Sequence, residues 1–263
     1  MNSALKTAKS PFIGMITILA FAALMFSAGA SAQERDLIVI ANPQAPFKFE
    51  DNGIPKGIDI EVIDAVFERL GVSYQVEFIT SDARIQQEAR NGRADMLLVF
   101  SKNAEREQYL IYPTESYVDI SWNLFIRSED KDRIKFDTLA DLDGLLIGIT
   151  RDISYTEEFL NAGLNFDVAA TNDLQIGKLL ARRFDAVPLN TINTLYDLKQ
   201  SGQLDQVYPL PKPIKTKPYF NVFSKNSSYP DIEGLAERYD AVIRQLKADG
   251  TINGIMQKYI GLD

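Results

Sequence analysis

Residues 45–72 read APFKFEDNGIPKGIDIEVIDAVFERLGV, and residues 91–117 read NGRADMLLVFSKNAEREQYLIYPTESY. In the first stretch Ile60, Ile63, Val66, Phe67 and Leu70 fall on one face at a 3.6-residue period, so the spacing predicts a helix over 59–70, stopped at Gly71. In the second, residues 94–100 (ADMLLVF) form a continuous apolar run, the pattern of a parallel strand buried on both faces. The next six residues, SKNAER, leave that strand and open a short helix that Asn103 can cap. They place one arginine, Arg106, beside a helix start. A guanidinium grips a carboxylate through two parallel charge-assisted hydrogen bonds, and helix N-terminal amides favour the same charge, so this is a way to hold a carboxylate.

Outward from there, strands and helices alternate. Strands are expected over 37–41, 73–79, 117–127, 145–150, 166–169, 185–189 and 219–224. Helices are expected over 82–91, 154–161, 173–182, 191–200, 232–248 and 252–259. Pro209, Pro211, Pro213 and Pro218 are read as breaking the chain before the last strand. Charged residues over 128–135 suggest a crossing between two α/β sets, with Glu129, Asp130 and Asp132 as solvated loop. Alternating strands and helices imply parallel-rich sheets covered by helices.

Composition narrows the function. Lys6 and Lys9 precede an apolar run over 12–26 that is too short for a stable span, followed by Ala30-Ser31-Ala32. That order predicts a signal peptide over 1–32, cleaved after Ala32. The net charge of −8 becomes −10 once Lys6 and Lys9 are removed with that segment, a balance that argues against nucleic acid. With no cysteine, there is no disulfide framework, thiol nucleophile or lipid-modified cysteine. With no histidine, histidine-based metal sites and Ser-His-Asp chemistry are excluded. No cofactor or metal is expected, and no ATP-binding Gly-rich loop is present.

Six stretches taken together carry a resemblance: APFKFEDNG with KGIDIEVIDAVFERLG, NGRADMLLVFSKNAER, LIGITRDISY, RRFDAVPLN, and residues 218–261 from PYFNVFSKN to QKYIG. In this order the chain resembles the polar amino-acid-binding type of bacterial periplasmic solute-binding protein, the family 3-like substrate-binding subunits of ABC transporters. The resemblance implies a two-lobe α/β fold of the type II periplasmic-binding-protein kind, with mostly parallel mixed sheets flanked by helices and a ligand cleft between the lobes. It implies that the chain crosses twice, so that 33–127 plus 219–263 form lobe one and 128–218 form lobe two. It further implies that Arg106, five residues after Ser101, grips the ligand carboxylate, with Ser101 as partner hydroxyl.

Several positions depart from the family pattern. Where the family has a Gly-Thr-Thr-like turn, this chain has Asp152-Ile153-Ser154, preceded by Arg151. Where a strand-end aspartate holds the ligand's ammonium, it has Asn190. An amide cannot neutralise a buried cation, and leaving one unpaired is costly. Ala41 stands where a carboxylate is common, Gln44 where an aromatic is common, and Leu98 and Val99 where small polar residues precede Ser101. The candidate ligand-binding residues are therefore Arg106, Ser101, Ser154, Asn190, Phe47, Gln44, Asp152, Asp82 and Trp122. Phe47, Phe100 and Trp122 are possible apolar walls. Asp82, Asp152 and Asp119 are candidate partners for an ammonium.

The expected function is periplasmic capture of a small polar carboxylate-bearing solute by hinge closure. A membrane permease of an ABC importer would then read the closed form. The expected protein is a non-enzymatic monomer without membrane insertion after cleavage. Two other classes fit the scaffold: a ligand-sensing protein that reports to a sensor or chemoreceptor, and a dehydratase-like enzyme. The latter needs a protonatable group in the cleft, which Asn190 is not and Asp152 or Asp82 would have to be. A lytic transglycosylase regulator is disfavoured, because no catalytic domain follows residue 263.

Overall fold

The computed structural model describes residues 35–151, 153 and 155–261. The expected signal segment lies outside them, as do Asp152 and Ser154.

The chain opens with β1 (Leu37–Ala41) and the hairpin β2 (Phe49–Asp51)/β3 (Ile54–Lys56). It continues through α1 (Ile58–Leu70), β4 (Tyr74–Phe78), α2 (Asp82–Arg90), β5 (Met96–Phe100) and the short β6 (Leu110–Ile111). β7 (Val118–Arg127) is ten residues long. A second set follows: β8 (Leu146–Thr150), α3 (Glu157–Leu160), β9 (Asn165–Ala169), α4 (Asp173–Leu180), β10 (Ala186–Asn190) and α5 (Thr191–Gln200). β11 (Val207–Ser224), α6 (Ile232–Ala248) and α7 (Thr251–Ile260) complete the described chain.

The strands join in the order β4-β1-β5-β11-β7-β10-β8-β9, with β6 beside β11. The two outer groups are parallel: β4, β1 and β5 on one side, β10, β8 and β9 on the other. Two antiparallel strands, β11 and β7, lie between them. Two lobes result, each a parallel group covered by helices, and both middle strands belong to each lobe in turn. In β7, Val118 and Ile120 pack with α1 and α6, whereas Leu124 and Ile126 pack with Leu142, Ile147 and Phe159. In β11, Val207 and Leu210 pack in the second lobe, and Phe220, Val222 and Phe223 in the first.

α1 forms where the apolar spacing predicts it, burying Ile60, Ile63, Val66 and Phe67. Gly71 ends it in the left-handed conformation, φ 66°. At its start the first two amides donate to the loop before it: Ile58 N to Pro46 O at 2.9 Å and Asp59 N to Phe47 O at 2.7 Å. These bonds satisfy helix donors that have no partner within the helix.

Three expectations need correcting. The prolines do not end the chain path before Tyr219, because β11 runs through all four. Its register against β7 shifts between Pro209 and Pro213 and again between Pro213 and Lys215, so Pro209, Pro211 and Pro213 fall in or beside irregularities in the ladder, whereas Pro218 stays in register opposite Asp119. The helix expected over 154–161 is a single turn, Glu157–Leu160, capped by Thr156. The run 128–135 is not simply solvated: Asp130 is buried and accepts from Arg127 Nε at 2.7 Å and from Arg133 Nη2 at 2.9 Å. Buried Arg127 also donates to the carbonyls of Leu179 and Phe184, at 3.0 and 2.7 Å, tying the end of β7 to the second lobe.

Candidate functional site

β5 ends at Phe100, and the chain turns through SKNAER. No α-helix follows; the turn over Arg106–Gln108 is a three-residue 3-10 segment. It supplies no helix dipole, so the arginine acts without one. Asn103 Oδ1 accepts the backbone N–H of Arg106 at 2.9 Å and shapes the turn, leaving Ser101 free of the capping role.

The Arg106 side chain folds back on the strand end. Its Nη1 donates to both Ser101 O and Ser101 Oγ, each at 2.9 Å. Its guanidinium lies 4.9 Å from the centre of the Phe100 ring. Tyr112 Oη donates to Ser101 O at 3.0 Å, a second brace on the same carbonyl. The neighbouring acids are occupied elsewhere: Glu105 pairs with Arg90 at 2.8 Å and Glu107 with Lys102 at 2.9 Å. Among the described residues no carboxylate pairs with Arg106. Nε and Nη2, two donors of the guanidinium fork, are left for an acceptor from outside the chain.

Arg106 and Ser101 line a cavity of about 330 Å³ together with Gln44, Asp82, Trp122 and Asn190. Six of the nine residues singled out from sequence thus share one chamber, drawn from both lobes. Gln44, Trp122 and Asn190 also line a neighbouring cavity of about 710 Å³ on the second-lobe side, with Asp173 and Asp197 on its wall. A contact between lobes closes one edge, where Asn193 Nδ2 donates to Ala45 O at 2.8 Å.

Other expectations do not hold. Phe47 is fully buried in the first-lobe core and does not wall the chamber; its carbonyl, not its ring, has a job, accepting from Asp59. Asp119 is exposed and accepts from Ser116 Oγ at 2.9 Å, away from the lining. Asn190 has a role that its residue type did not reveal. It is the N-cap of α5, its Oδ1 accepting Asn193 N at 3.1 Å. The cap consumes the side chain's acceptor and leaves the NH₂ group, which has no partner among the described residues.

Sequence reasoning missed Ile120 and Tyr219 and noted Val99 only as a departure before Ser101; all three line the chamber. Ile120 and Tyr219 belong to long strands whose alternation places them on Trp122's face, a signal hidden by the prolines. Val99 has a positive φ of 63°, which no β-branched residue advertises. Asn221 Oδ1 holds its N–H at 3.1 Å. Burial pushes the Tyr112 hydroxyl up to about 12 even though Arg106 pulls it down, so the phenol stays a neutral donor.

Behind the chamber lies a polar group that sequence reading also missed. Lys48 and Asp59 are both buried, with Nζ and Oδ2 3.5 Å apart, and Tyr117 Oη donates to Asp59 Oδ1. Asp59 Oδ2 has no hydrogen bond within range. Burial, opposed by Lys48 and Tyr117, pushes the Asp59 carboxyl up to about 6. Burial lowers Lys48 as well, so both shifts have one cause: the interior disfavours either charge.

Among the described residues no helix is long and apolar enough to cross a membrane. Comparison with known proteins places this architecture. The family described as bacterial extracellular solute-binding proteins, family 3, matches residues 37–262. The L-cystine-binding protein TcyJ of Bacillus subtilis (strain 168) is 25% identical over 230 residues, covering 81% of this chain and 78% of that protein. Two solved structures share the fold. Substrate binding domain 2 of Lactococcus lactis GlnP, in an open conformation, has a TM-score of 0.73 at 20% identity, covering 88% of this chain and 97% of that one. The unliganded open L-cystine solute receptor of Neisseria gonorrhoeae has a TM-score of 0.73 at 22% identity, covering 88% and 94%.

Proposed function

Because this chain belongs to the bacterial extracellular solute-binding proteins, family 3, we propose that it captures a small carboxylate-bearing solute, an amino acid or a related compound, for a membrane permease of an ABC importer. The observation that carries this reading is Arg106. It is braced on Ser101 and Phe100, faces a cavity shared by both lobes, and has no carboxylate of its own among the described residues. A charged group held ready and unpaired is stabilised most by a ligand that brings the opposite charge. The printed names of relatives, an L-cystine-binding protein and an L-cystine receptor, make amino acids the first class to test.

The solute enters between the lobes and closure buries it. The hinge lies within the two middle strands, near residues 121–123 of β7 and 216–219 of β11, where packing passes from one lobe to the other. The turn Ser128–Asp130 then belongs to lobe two. The protein binds without turnover and acts as a monomer, after removal of residues 1–32 on export. The sensor and dehydratase-like readings are set aside, since the matched family is one of solute-binding proteins.

A thermal-shift screen of purified protein against amino acids and organic acids identifies the ligand, and titration of Arg106→Ala tests the grip. Loss of one partner of a desolvated charge pair costs about 3 kcal/mol, so affinity drops about 100-fold. Unchanged affinity in Arg106→Ala rejects the carboxylate assignment.

A further inference from the structure

α5 follows a second-lobe strand, yet its faces are divided between the lobes. Leu195 and Leu198 pack in the second-lobe core with Phe125, Leu179 and Val187. Ile192, only 5% exposed, packs instead in the first-lobe core that holds Phe47 and Ile58. Lys199 comes two helical turns after Ile192 and shares its face. Its Nζ donates to Lys258 O at 2.8 Å, in the last turn of α7. Near the other end of α5, Asn193 Nδ2 donates to Ala45 O at 2.8 Å. Lobe two thus reaches two backbone carbonyls of lobe one, from residues about 9 Å apart along the helix axis.

Both carbonyls belong to one joint. Tyr259, next to Lys258, accepts Gly57 N on its Oη at 3.2 Å and donates to Glu61 Oε1 at 2.5 Å, which fixes the end of α7 on the start of α1. The loop that carries Ala45 is fixed there too, because Pro46 O and Phe47 O accept the first amides of α1. Ile260 bridges the lobes, packing against the first-lobe core and against the second-lobe cluster of Leu195 and Leu198. Gly261 lets the two elements approach closely: a Cβ there would meet Lys199 Cδ at 3.3 Å. Ile192, Lys199 and Ile260 line neither cavity of the cleft. The helix they hold does: Asn190, its N-cap, borders the Arg106 chamber, and Asn193, Thr194 and Asp197 border the larger one.

We propose that Ile192, Asn193 and Ile260 are positioning residues for solute capture: they seat α5 of lobe two on the α1–α7 joint of lobe one. Every contact in the seat is between protein atoms, so it forms without a solute. The lobe-two wall of the cleft then stands opposite Arg106 before binding begins. Opening to admit a solute breaks the seat, and reclosure remakes it. This rests on the solute-capture reading above and adds that part of the affinity is set outside the cleft. With the binding-competent form already the major one, less of the solute's binding free energy goes into bringing the lobes together.

The test is small-angle scattering and Trp122 emission of the purified protein with no solute added. Trp122 is the chain's single tryptophan and borders both cavities, so its emission reports their access to water. Ile260→Ser and Asn193→Ala each keep a single melting transition, gain radius of gyration and shift the emission to the red, whereas Ile260→Val does neither. Arg106→Ala, which removes the grip and leaves the seat, keeps the parent's radius. Titrated with L-glutamine, a carboxylate-bearing probe, both seat variants bind about 5-fold more weakly than the parent, as a smaller competent fraction requires. The parent's radius and emission in both variants, or tighter binding of the probe by either, overturns the seat. If Ile260→Ser does not fold, Asn193→Ala decides. An overturned seat with binding still lost in Arg106→Ala leaves solute capture standing. Expanded variants in a protein that binds no carboxylate overturn solute capture and leave the seat as a contact between the lobes.

Discussion

Val99 shows the cost of shaping the site. A β-branched residue in the left-handed region carries strain of about 1–2 kcal/mol, and it sits two residues before Ser101. The backbone is kept there by Asn221, whose Nδ2 is itself anchored on Tyr239 Oη at 3.0 Å, beside the register shift between Phe220 and Val222. Asparagine tolerates this conformation, so Val99→Asn stabilises the fold by about 1 kcal/mol in urea unfolding. Asp59 gives a pH signature. Its folded-state value, about 6, lies above the ordinary 3.8, so the folded chain keeps this proton longer than the unfolded one. The stability it contributes is full below pH 3.8 and is lost as pH rises through about 6. Asp59→Asn cannot titrate. Between about pH 4 and pH 7 the parent therefore loses up to about 3 kcal/mol relative to the variant, read as the difference of two stability–pH curves. At this scale the sequence revealed Arg106 and Ser101, because a five-residue spacing survives folding as a contact. It did not reveal that Phe47 is core, which depends on neighbours far along the chain, and the Asn190 cap on Asn193, only three residues on, was a local signal left unread.

Elements were legible where their pattern is local. α1, α5 and α6 appear within a residue of the limits their apolar periods set, and β5 lies within its continuous apolar run. β11 was half-read, because proline is judged by the rungs it removes, and only the partner strand shows which rungs are absent. The joint between the loop at Gln44 and α1 was not legible at all. Gly57, with φ 122° and ψ 173°, lets the helix start lie against that loop. A Cβ there would come within 2.4 Å of Phe47 O and 2.8 Å of Lys48 N, both backbone atoms. Gly57→Ala therefore destabilises the protein by about 2 kcal/mol or more. It also weakens solute binding by moving Gln44, which titration of the refolded variant would show as a raised Kd.

The whole molecule is two parallel groups of strands held by an antiparallel pair, and a solute bound between them stabilises the assembly through linkage. At 100 times its Kd a ligand adds about 2.7 kcal/mol to the unfolding free energy, and a calorimetric melt at that concentration shows most of the gain lost in Arg106→Ala, which keeps about 0.4 kcal/mol. The placement of β11 has a further consequence. The strand that lies between β5 and β7 is made from residues 207–224, and the first-lobe core built by α1 is filled by Phe223, Leu235, Tyr239 and Ile243. Its earliest and latest segments are thus stitched together across most of the chain's length. Contacts between such distant segments form slowly, because a long loop must close before they gain anything. A ribosome that has released the first 150 residues has released no finished lobe. For a family whose members work outside the cytoplasm, that delay keeps the nascent chain thin enough to thread a membrane channel before it locks.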